Sequence, residues 1–219
     1  MRLNRGLRCR LSMIGSYAGF RMDCKVLTLR GDQKRLPATL AALEPYADWL
    51  KVSVFEGLDG REASPDFIRA FGGNPRRPGT FGCAMSHAAI WQSLGWGPLS
   101  IASSYTLVLE DDANPHDVDQ VLTAADGYDL ILCNDRGQSP QKAYKYGLGT
   151  DGYLISAGGA RKLLALFQED GYAGDIDRRI SAYIIAHKIK TGRLGVAVTD
   201  HINLPGPRAV RDMEAIHAA

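Results

Sequence analysis

A cluster of three acidic residues follows a short apolar segment in the middle of the chain, within the stretch YTLVLEDDANP (105–115). Glu110, Asp111 and Asp112 stand where a buried strand would end. Adjacent carboxylates at such a place repel one another and lose hydration, so each binds a proton or is paired with a cation. Clustered carboxylate oxygens suit Mg²⁺ or Mn²⁺. The stretch therefore predicts a divalent metal site, and the alternative is that Asp111 and Asp112 cap a following helix.

Stretches with the period of strands alternate along the chain with stretches that have the period of helices. Strands are predicted at residues 24–30, 50–55, 105–110, 128–133, 151–156 and 193–198. Helices are predicted at residues 33–46, 83–94, 114–125, 157–168 and 175–189. Strands separated by helices of about ten or more residues indicate an α/β sandwich with a largely parallel sheet. Ligands bind outside the carboxyl ends of such strands, which is where the acidic cluster lies.

Length and composition indicate a single folded domain. With 219 residues, 45% of them apolar, the chain can bury a full core, and no repeat or linker divides residues 22–219. No uninterrupted apolar stretch is long enough to span a membrane. The four cysteines form no CxxC pair and show no metal-site spacing, which favours a reducing, cytoplasmic setting.

The first 21 residues carry five arginines and no acidic residue. Subtracting these five charges from the net charge of +2 leaves −3 for residues 22–219, which argues against a nucleic-acid partner for the folded body. We expect residues 1–21 to be a disordered basic extension. It could contact an anionic membrane surface, or it could precede a true start at Met22.

Five stretches, taken together and in order, resemble the signature segments of a known enzyme family. They are VLTLRGDQKRLPATLAAL, FEGLDGR, GTFGCAMSHAAIWQSL, YTLVLEDDA and GTDGYLISAGGARKLL. Over residues 24–180 the chain resembles glycosyltransferase family 25, which includes bacterial lipooligosaccharide galactosyltransferases and collagen galactosyltransferases. The resemblance implies one glycosyltransferase domain over residues 22–219. It also implies a GT-A-like α/β fold, in which helices flank a Rossmann-like sheet that is mostly parallel but mixed.

The same resemblance implies where a sugar nucleotide and its metal bind. Glu110, Asp111 and Asp112 match the acidic motif that, in GT-A enzymes, holds Mn²⁺ or Mg²⁺ against the donor diphosphate. Asp112 is the expected direct metal ligand, together with Glu110, while Glu110 and Asp111 are also expected to border the donor. By analogy with C-terminal histidines of some GT-A enzymes, His201 could reach the metal.

Further donor contacts are expected from residues in the other family segments: Arg30, Arg35, Asp59, Ser86 and His87. Each has a structural alternative. Arg35 could be a solvated helix residue, Asp59 could pair with Arg61 in a tight turn, and His87 could be a satisfied core residue on an apolar helix. Thr80 departs from the family, which often has an acidic residue there, so any donor contact made by that acid is absent.

An inverting transfer needs a carboxylate that accepts the proton of the attacking acceptor hydroxyl. Asp177 matches an aspartate of the family and is the first candidate for this catalytic base. Asp175 and Asp151 are the reserves, and Asp151 could instead contact the acceptor. The structural alternative places Asp175 at the N-cap of a helix and Asp177 in its first turn.

The expected function is transfer of a hexose, galactose by resemblance, from a UDP-sugar to a hydroxyl of a saccharide or lipid-linked saccharide. The resemblance implies a role in the biosynthesis of lipooligosaccharide or another cell-surface glycan. A metal-dependent phosphohydrolase, which would use the same carboxylates on water, is the main alternative, and a transferase-like protein without activity is another. A receiver-like signalling module is disfavoured, because its phosphorylated aspartate would have to end a later strand.

Overall fold

Seven strands form one mixed sheet in the computed structural model, which describes residues 21–30, 35–96, 105–134 and 149–199. The strands are β1 (Met22–Leu29), β2 (Leu50–Gly57), β3 (Tyr105–Glu110), β4 (Asn114–Pro115), β5 (Leu130–Asn134), β6 (Gly152–Ser156) and β7 (Thr191–Thr199). Their order across the sheet is β2-β1-β3-β6-β5-β7-β4.

The directions of these strands make the sheet mostly parallel. β1 pairs in parallel with β2 and with β3, and β5 pairs in parallel with β7. β6 runs antiparallel to both of its neighbours, β3 and β5, so these two point the same way as each other. β4 runs antiparallel to β7. Five of the seven strands therefore share one direction, and the predicted α/β fold with a mostly parallel, mixed sheet is confirmed.

Helices cover both faces of the sheet. They are α1 (Leu36–Leu43), α2 (Pro65–Ala70), α3 (Pro78–Trp96), α4 (Ala157–Asp170) and α5 (Ile176–Ile185), with short 3₁₀ turns at Glu44–Tyr46, Gly60–Glu62 and Val118–Thr123. One hydrophobic cluster joins α3, α4 and α5 to the sheet, and a second joins α1 and the last 3₁₀ turn to its other face.

Strand β5 shows why the sequences of the central strands are continuously apolar. Leu130 and Leu132 pack in the cluster with α3, α4 and α5, whereas Ile131 and Cys133 pack in the cluster with α1. Successive side chains of a strand point to opposite faces, and here both faces are buried. The same alternation in β3 fixes which way its last residue, Glu110, leaves the sheet.

Two glycines allow the first turn of α3 to lie directly on the loop that follows β2. A Cβ atom on Gly82 would stand 2.5 Å from the backbone nitrogen of Gly60 and 2.6 Å from the carbonyl oxygen of Leu58. A Cβ atom on Gly60 would stand 1.9 Å from the carbonyl oxygen of Pro78. Because these neighbours are backbone atoms, a side chain at either position would force the two elements apart. The contact sets the position of the α3 residues that face the carboxyl ends of β1 and β2.

The helix predicted over residues 114–125 is wrong in its first half. Asn114 and Pro115 form β4 instead and pair with the end of β7. Asp117 then adopts a left-handed backbone conformation, with φ of 46°, which a right-handed helix does not accommodate. A 3₁₀ turn, Val118–Thr123, follows. Because a strand rather than a helix comes after the acidic cluster, Asp111 and Asp112 do not act as helix caps there.

Several expectations concern residues outside the described ranges. The basic extension is one of these, since only Arg21 of residues 1–21 is described, and His201 is another. The division into an extension and one domain over residues 22–219 stays a prediction. Among the helices that the structure does describe, none is both long and apolar enough to cross a membrane.

We predict that Gly82→Ala lowers the free energy of unfolding by about 1–3 kcal/mol, because its Cβ would overlap backbone atoms of the loop after β2. Gly158→Ala is the matched control in α4, where the nearest atom to the added Cβ lies 3.8 Å away. We expect the control to be neutral or stabilised by up to about 1 kcal/mol. Urea denaturation measures both changes, and equal stability of the two variants would contradict the close contact.

Candidate active site

The carboxyl ends of β1, β2 and β3 meet at one edge of the sheet, beside the amino end of α3. In the strand register, Leu27 lies opposite Glu110, and Leu29 lies opposite Gly57. A shallow, open cleft lies at this edge. Its lining residues are Leu27, Leu29, Leu58, Asp59, Gly60, Arg61, Gly79, Cys83 and Ser86. The edge is the one at which the sequence predicts a ligand.

Asp111 points into the protein and is held by groups from β1 and from the start of α1. It is 0% exposed, and its Oδ2 accepts a hydrogen bond of 2.7 Å from the Thr28 hydroxyl. The Arg35 guanidinium lies 3.0 Å from Asp111 Oδ1 and donates a bond of 2.8 Å to Asp112 Oδ2. Arg35 is itself buried, so the alternative of a solvated helix residue is wrong. One buried cation thus compensates two of the three clustered carboxylates.

Glu110 has different described partners from this pair, in α3 and in the segment before β6. Its Oε1 lies 2.6 Å from the Thr150 hydroxyl and 3.2 Å from His87 Nε2. The same Thr150 hydroxyl lies 2.9 Å from Oδ1 of Asp177, in the first turn of α5. The structure therefore brings together Glu110 of β3 and Asp177 of α5, two predicted site residues that are 67 positions apart in the chain. The residue that connects them, Thr150, was not predicted from the sequence.

The Thr150 hydroxyl has a single proton, although it lies between two carboxylate oxygens. It can donate to only one of them at a time, and the other carboxylate then faces an oxygen lone pair. Such a contact is stabilised by a further proton or by a cation close to the two carboxylates. The arrangement is thus one into which Mn²⁺ or Mg²⁺ fits, since both prefer carboxylate and hydroxyl oxygens.

The two reserve candidates for the catalytic base lie in different surroundings from Asp177. Asp175 occupies the N-cap position of α5, as its structural alternative predicts, but its side chain makes no capping bond and instead pairs with Arg77 at 2.7 Å. Asp151 is 2% exposed, and its Oδ1 accepts a bond of 2.9 Å from the Asn134 amide. The Thr150 hydroxyl joins Asp177 to the side chain of Glu110, whereas the contact of Asp151 with Glu110 is a backbone bond of 3.1 Å from Glu110 N to the Asp151 carbonyl.

Of the expected donor residues, Asp59 and Ser86 line the cleft and Arg30 lies at the surface. Arg35, His87, Glu110 and Asp111 are not among the residues that line it. Asp59 accepts two bonds from the Arg61 guanidinium, at 2.7 and 2.6 Å, and both residues line the cleft. Ser86 also lines it, while its hydroxyl accepts a bond from Leu58 N and donates one to a carbonyl of α3. Arg30 is highly exposed and pairs with Glu56 at 2.8 Å. The turn pairing of Asp59 and the loop contact of Ser86 both stabilise the wall of the cleft.

His87 is fully buried on the inner face of α3, between Glu110 and a tyrosine of β6. Its Nδ1 lies 2.8 Å from the Tyr153 hydroxyl. One ligand atom each from Cys83, His87 and Glu110 lie within 4.8 Å of one another, so these three side chains form a second group that could hold a metal ion. Cys83 and His87 are four residues apart on a helix and share a face, a signal that the sequence did contain. No pattern in the sequence indicated Tyr153 as a site residue, because it lies in an apolar strand.

Comparison with known proteins gives one match in sequence. No family model matches the chain. The chain is 32% identical over 146 residues to a "Glycosyltransferase 25 family member" from Aedes aegypti. The sequence resembles glycosyltransferase family 25. The match covers 52% of this chain and 23% of the relative, so the family-25-like chain spans about a quarter of that protein's length.

Solved structures share the fold of this family-25-like chain. The galactosyltransferase LgtC, in complex with donor and acceptor sugar analogues, matches with a TM-score of 0.54 and 13% identity, over 90% of this chain and 96% of that chain. The glycosyltransferase GlyE from Streptococcus pneumoniae TIGR4 matches with a TM-score of 0.49 and 12% identity, over 80% and 45%. At such identity the likeness to LgtC concerns the fold alone. The predicted GT-A-like fold is confirmed.

We predict that Cys83 of the family-25-like chain reacts with iodoacetamide at pH 8 long before Cys24 and Cys133. Cys83 lines the cleft, whereas burial raises the pKa of both other thiols to about 12, which leaves a thiolate fraction of ~10⁻⁴ at this pH. Peptide mass spectrometry after timed quenching measures the order of reaction. Modification of Cys24 or Cys133 ahead of Cys83 in the folded protein would contradict it.

Proposed function

We propose that this chain is a metal-dependent glycosyltransferase. It moves a hexose, galactose by family resemblance, from a UDP-sugar to a hydroxyl of a saccharide acceptor, with inversion at the anomeric carbon. Its place is the biosynthesis of lipooligosaccharide or another cell-surface glycan. The observation that carries the proposal is the joined pair Glu110 and Asp177, which lies at the carboxyl ends of parallel strands in a chain similar to family 25.

The cleft supports binding of the sugar nucleotide. Leu27, Leu29 and Leu58 give it an apolar floor, which suits the flat face of a nucleobase. Gly79, in the first turn of α3, also lines it. The first N–H groups of a helix have no partner within the helix and carry a partial positive charge, so this wall favours a phosphate group. An apolar floor beside such a helix end matches a nucleoside diphosphate.

The acidic cluster supports binding of Mn²⁺ or Mg²⁺ next to that diphosphate. Glu110 would hold the metal, together with Asp112, whose carboxylate is fixed in place by Arg35. A bound divalent cation neutralises the charge that grows on the diphosphate as the sugar–phosphate bond breaks. Asp111 is left with a positioning role, because Thr28 and Arg35 engage its carboxylate inside the protein.

Asp177 is the proposed general base. It lies in the first turn of α5, and Thr150 connects it to Glu110 and so to the metal side of the site. A partly buried carboxylate placed next to the acceptor hydroxyl would accept its proton as the hydroxyl oxygen attacks the anomeric carbon. Asp175 and Asp151 are less suited to this step, because Arg77 pairs with the first and burial excludes solvent from the second.

The proposed transfer is tested by incubating the chain with UDP-galactose or UDP-glucose and Mn²⁺, with and without saccharide acceptors. We expect UDP release that depends on the acceptor, together with a product heavier than the acceptor by one hexose. Asp112→Asn should lower the rate by more than tenfold, about 1.4 kcal/mol of activation free energy, while its circular dichroism is unchanged. Asp66→Asn, which removes an exposed carboxylate of α2, is the matched control with the wild-type rate.

Other outcomes of this assay decide against the proposal. Acceptor-independent release of sugar phosphate or phosphate would favour a metal-dependent phosphohydrolase that uses the same carboxylates on water. No turnover of any UDP-sugar over a panel of acceptors, with the metal present, would favour a transferase-like protein without activity. A folded Asp112→Asn variant that keeps more than about a tenth of the wild-type rate would remove Asp112 from the metal site.

We predict that Asp177→Asn abolishes turnover but leaves donor binding intact, because the change removes a proton acceptor and keeps the shape of the side chain. Slowing of Cys83 alkylation by UDP and Mn²⁺ measures donor binding without turnover. Asp175→Asn removes the same charge two residues away and should keep both turnover and UDP protection. Loss of UDP protection in Asp177→Asn, or loss of turnover in Asp175→Asn alone, would contradict the assignment of the base.

A further inference from the structure

A chain of hydrogen bonds runs from the core of the protein to Glu110 and contains three buried rings. Trp91 Nε1 donates a bond of 3.0 Å to the Tyr153 hydroxyl, which lies 2.8 Å from His87 Nδ1. The other ring nitrogen, His87 Nε2, lies 3.2 Å from Glu110 Oε1. Trp91 and His87 are 0% exposed and Tyr153 is 1% exposed, so water does not compete for these contacts.

The donors and acceptors in this chain determine where the protons lie. The indole N–H of Trp91 can only donate, so the Tyr153 oxygen accepts from it. Burial raises the pKa of Tyr153 far above its ordinary value, and the hydroxyl therefore keeps its own proton. In the described part of the chain, His87 Nδ1 is the acceptor within reach of that proton. A neutral ring that accepts at Nδ1 carries its proton at Nε2, which faces the carboxylate of Glu110.

This proton assignment bears on the second metal-binding group, formed by Cys83, His87 and Glu110. An imidazole binds a metal through a nitrogen lone pair. Tyr153 occupies the lone pair at Nδ1, and Nε2 presents a proton to the place where the ligand atoms converge. Metal binding there would require His87 to reverse its tautomer and leave the buried Tyr153 proton without an acceptor, which is unfavourable.

We propose that Tyr153 and Trp91 are positioning residues that hold His87 as an Nε2–H donor to Glu110. His87 on one side and the Thr150 hydroxyl on the other both contact Glu110 Oε1 at the end of β3, at 3.2 and 2.6 Å. The carboxylate then keeps one orientation towards Asp177, whether or not a ligand is present. The tautomer follows from these contacts alone, and its consequence for transfer rests on the proposed function.

The tautomer of His87 is measured by ¹⁵N nuclear magnetic resonance of the full chain labelled at its imidazole nitrogens. Replacing each of the other four histidines in turn assigns the His87 signals by elimination. We expect a protonated Nε2 and an unprotonated Nδ1 in the wild type. In Tyr153→Phe the proton should move in part or wholly to Nδ1. Tyr183→Phe is the matched control, since it removes another buried hydroxyl, bonded to Asp170, and should leave the His87 signals unchanged.

Three results would overturn the proposal. The first is a wild-type His87 that is protonated at Nδ1 and not at Nε2. The second is a folded Tyr153→Phe protein whose His87 signals match the wild type. The third is loss of the Nε2 proton when one equivalent of Zn²⁺ is added, since this would make His87 a metal ligand. The wild-type spectrum decides the tautomer by itself, so the proposal is tested even if Tyr153→Phe does not fold.

A kinetic measurement tests the consequence for Glu110 separately. Residues that orient a metal ligand typically change metal affinity or activity by about 10- to 100-fold when they are replaced. We expect Tyr153→Phe to raise the Mn²⁺ concentration for half-maximal transfer about tenfold, with kcat at saturating Mn²⁺ within about threefold of the wild type. An unchanged Mn²⁺ dependence would overturn the positioning role. A wild type without transfer activity would reject the proposed function but leave the spectroscopic result standing.

Discussion

The structure depends on the contacts that hold four neighbouring carboxylates at one edge of the sheet. Charged groups that leave water at short distances from one another are tolerated only with a partner for each. Arg35 and Thr28 engage Asp111 and Asp112 on the α1 side, while His87 and Thr150 engage Glu110 and Asp177 on the α3 side. Arg35 thereby holds one half of the acidic cluster, and the His87 imidazole and the Thr150 hydroxyl contact the other half. The second half joins residues from β3, the segment before β6, and α5.

The contact between α3 and the loop after β2 makes this division possible. Gly60 and Gly82 let the two backbones meet, and Ser86 bonds across the same contact. The next residue of α3, His87, reaches Glu110 from the core side. Residues of the GLDGR and GTFGC segments thus allow a close backbone contact between two elements, and some of them also line the cleft. Their glycines favour a close approach of two elements more than a particular turn conformation.

The sequence predicted the elements well where a local pattern determines them. The apolar runs and helical periods of β1, β3 and α4 depend on residues close together in the chain, and the position of Glu110 at a strand end follows directly. The sequence predicted a helix that begins at Asn114, yet pairing of Asn114 and Pro115 with the distant β7 overrode this preference. Local preferences amount to about 1 kcal/mol per residue and yield to tertiary contacts of this kind.

The contacts that define the site were not predictable, because each joins residues far apart in the chain. Arg35 meets Asp112 across 77 positions, and Thr150 meets Glu110 across 40. No spacing rule links such pairs. Thr150 and Tyr153 also have side chains that are common in strands and turns, so neither type marks a site by itself. The sequence indicated Glu110 and Asp177 as separate candidates, and the structure supplies the hydroxyl that connects them.

We propose that the carboxylates at the end of β3 bind a divalent cation together with a nucleoside diphosphate. Isothermal titration of UDP into the chain, with and without Mn²⁺, tests it most directly. If the two ligands bind together, we expect Mn²⁺ to tighten UDP binding at least about tenfold, a coupling free energy of about 1.4 kcal/mol. UDP should then tighten Mn²⁺ binding by the same factor. Equal UDP affinity in the presence and absence of Mn²⁺, or no UDP binding in either case, would contradict it.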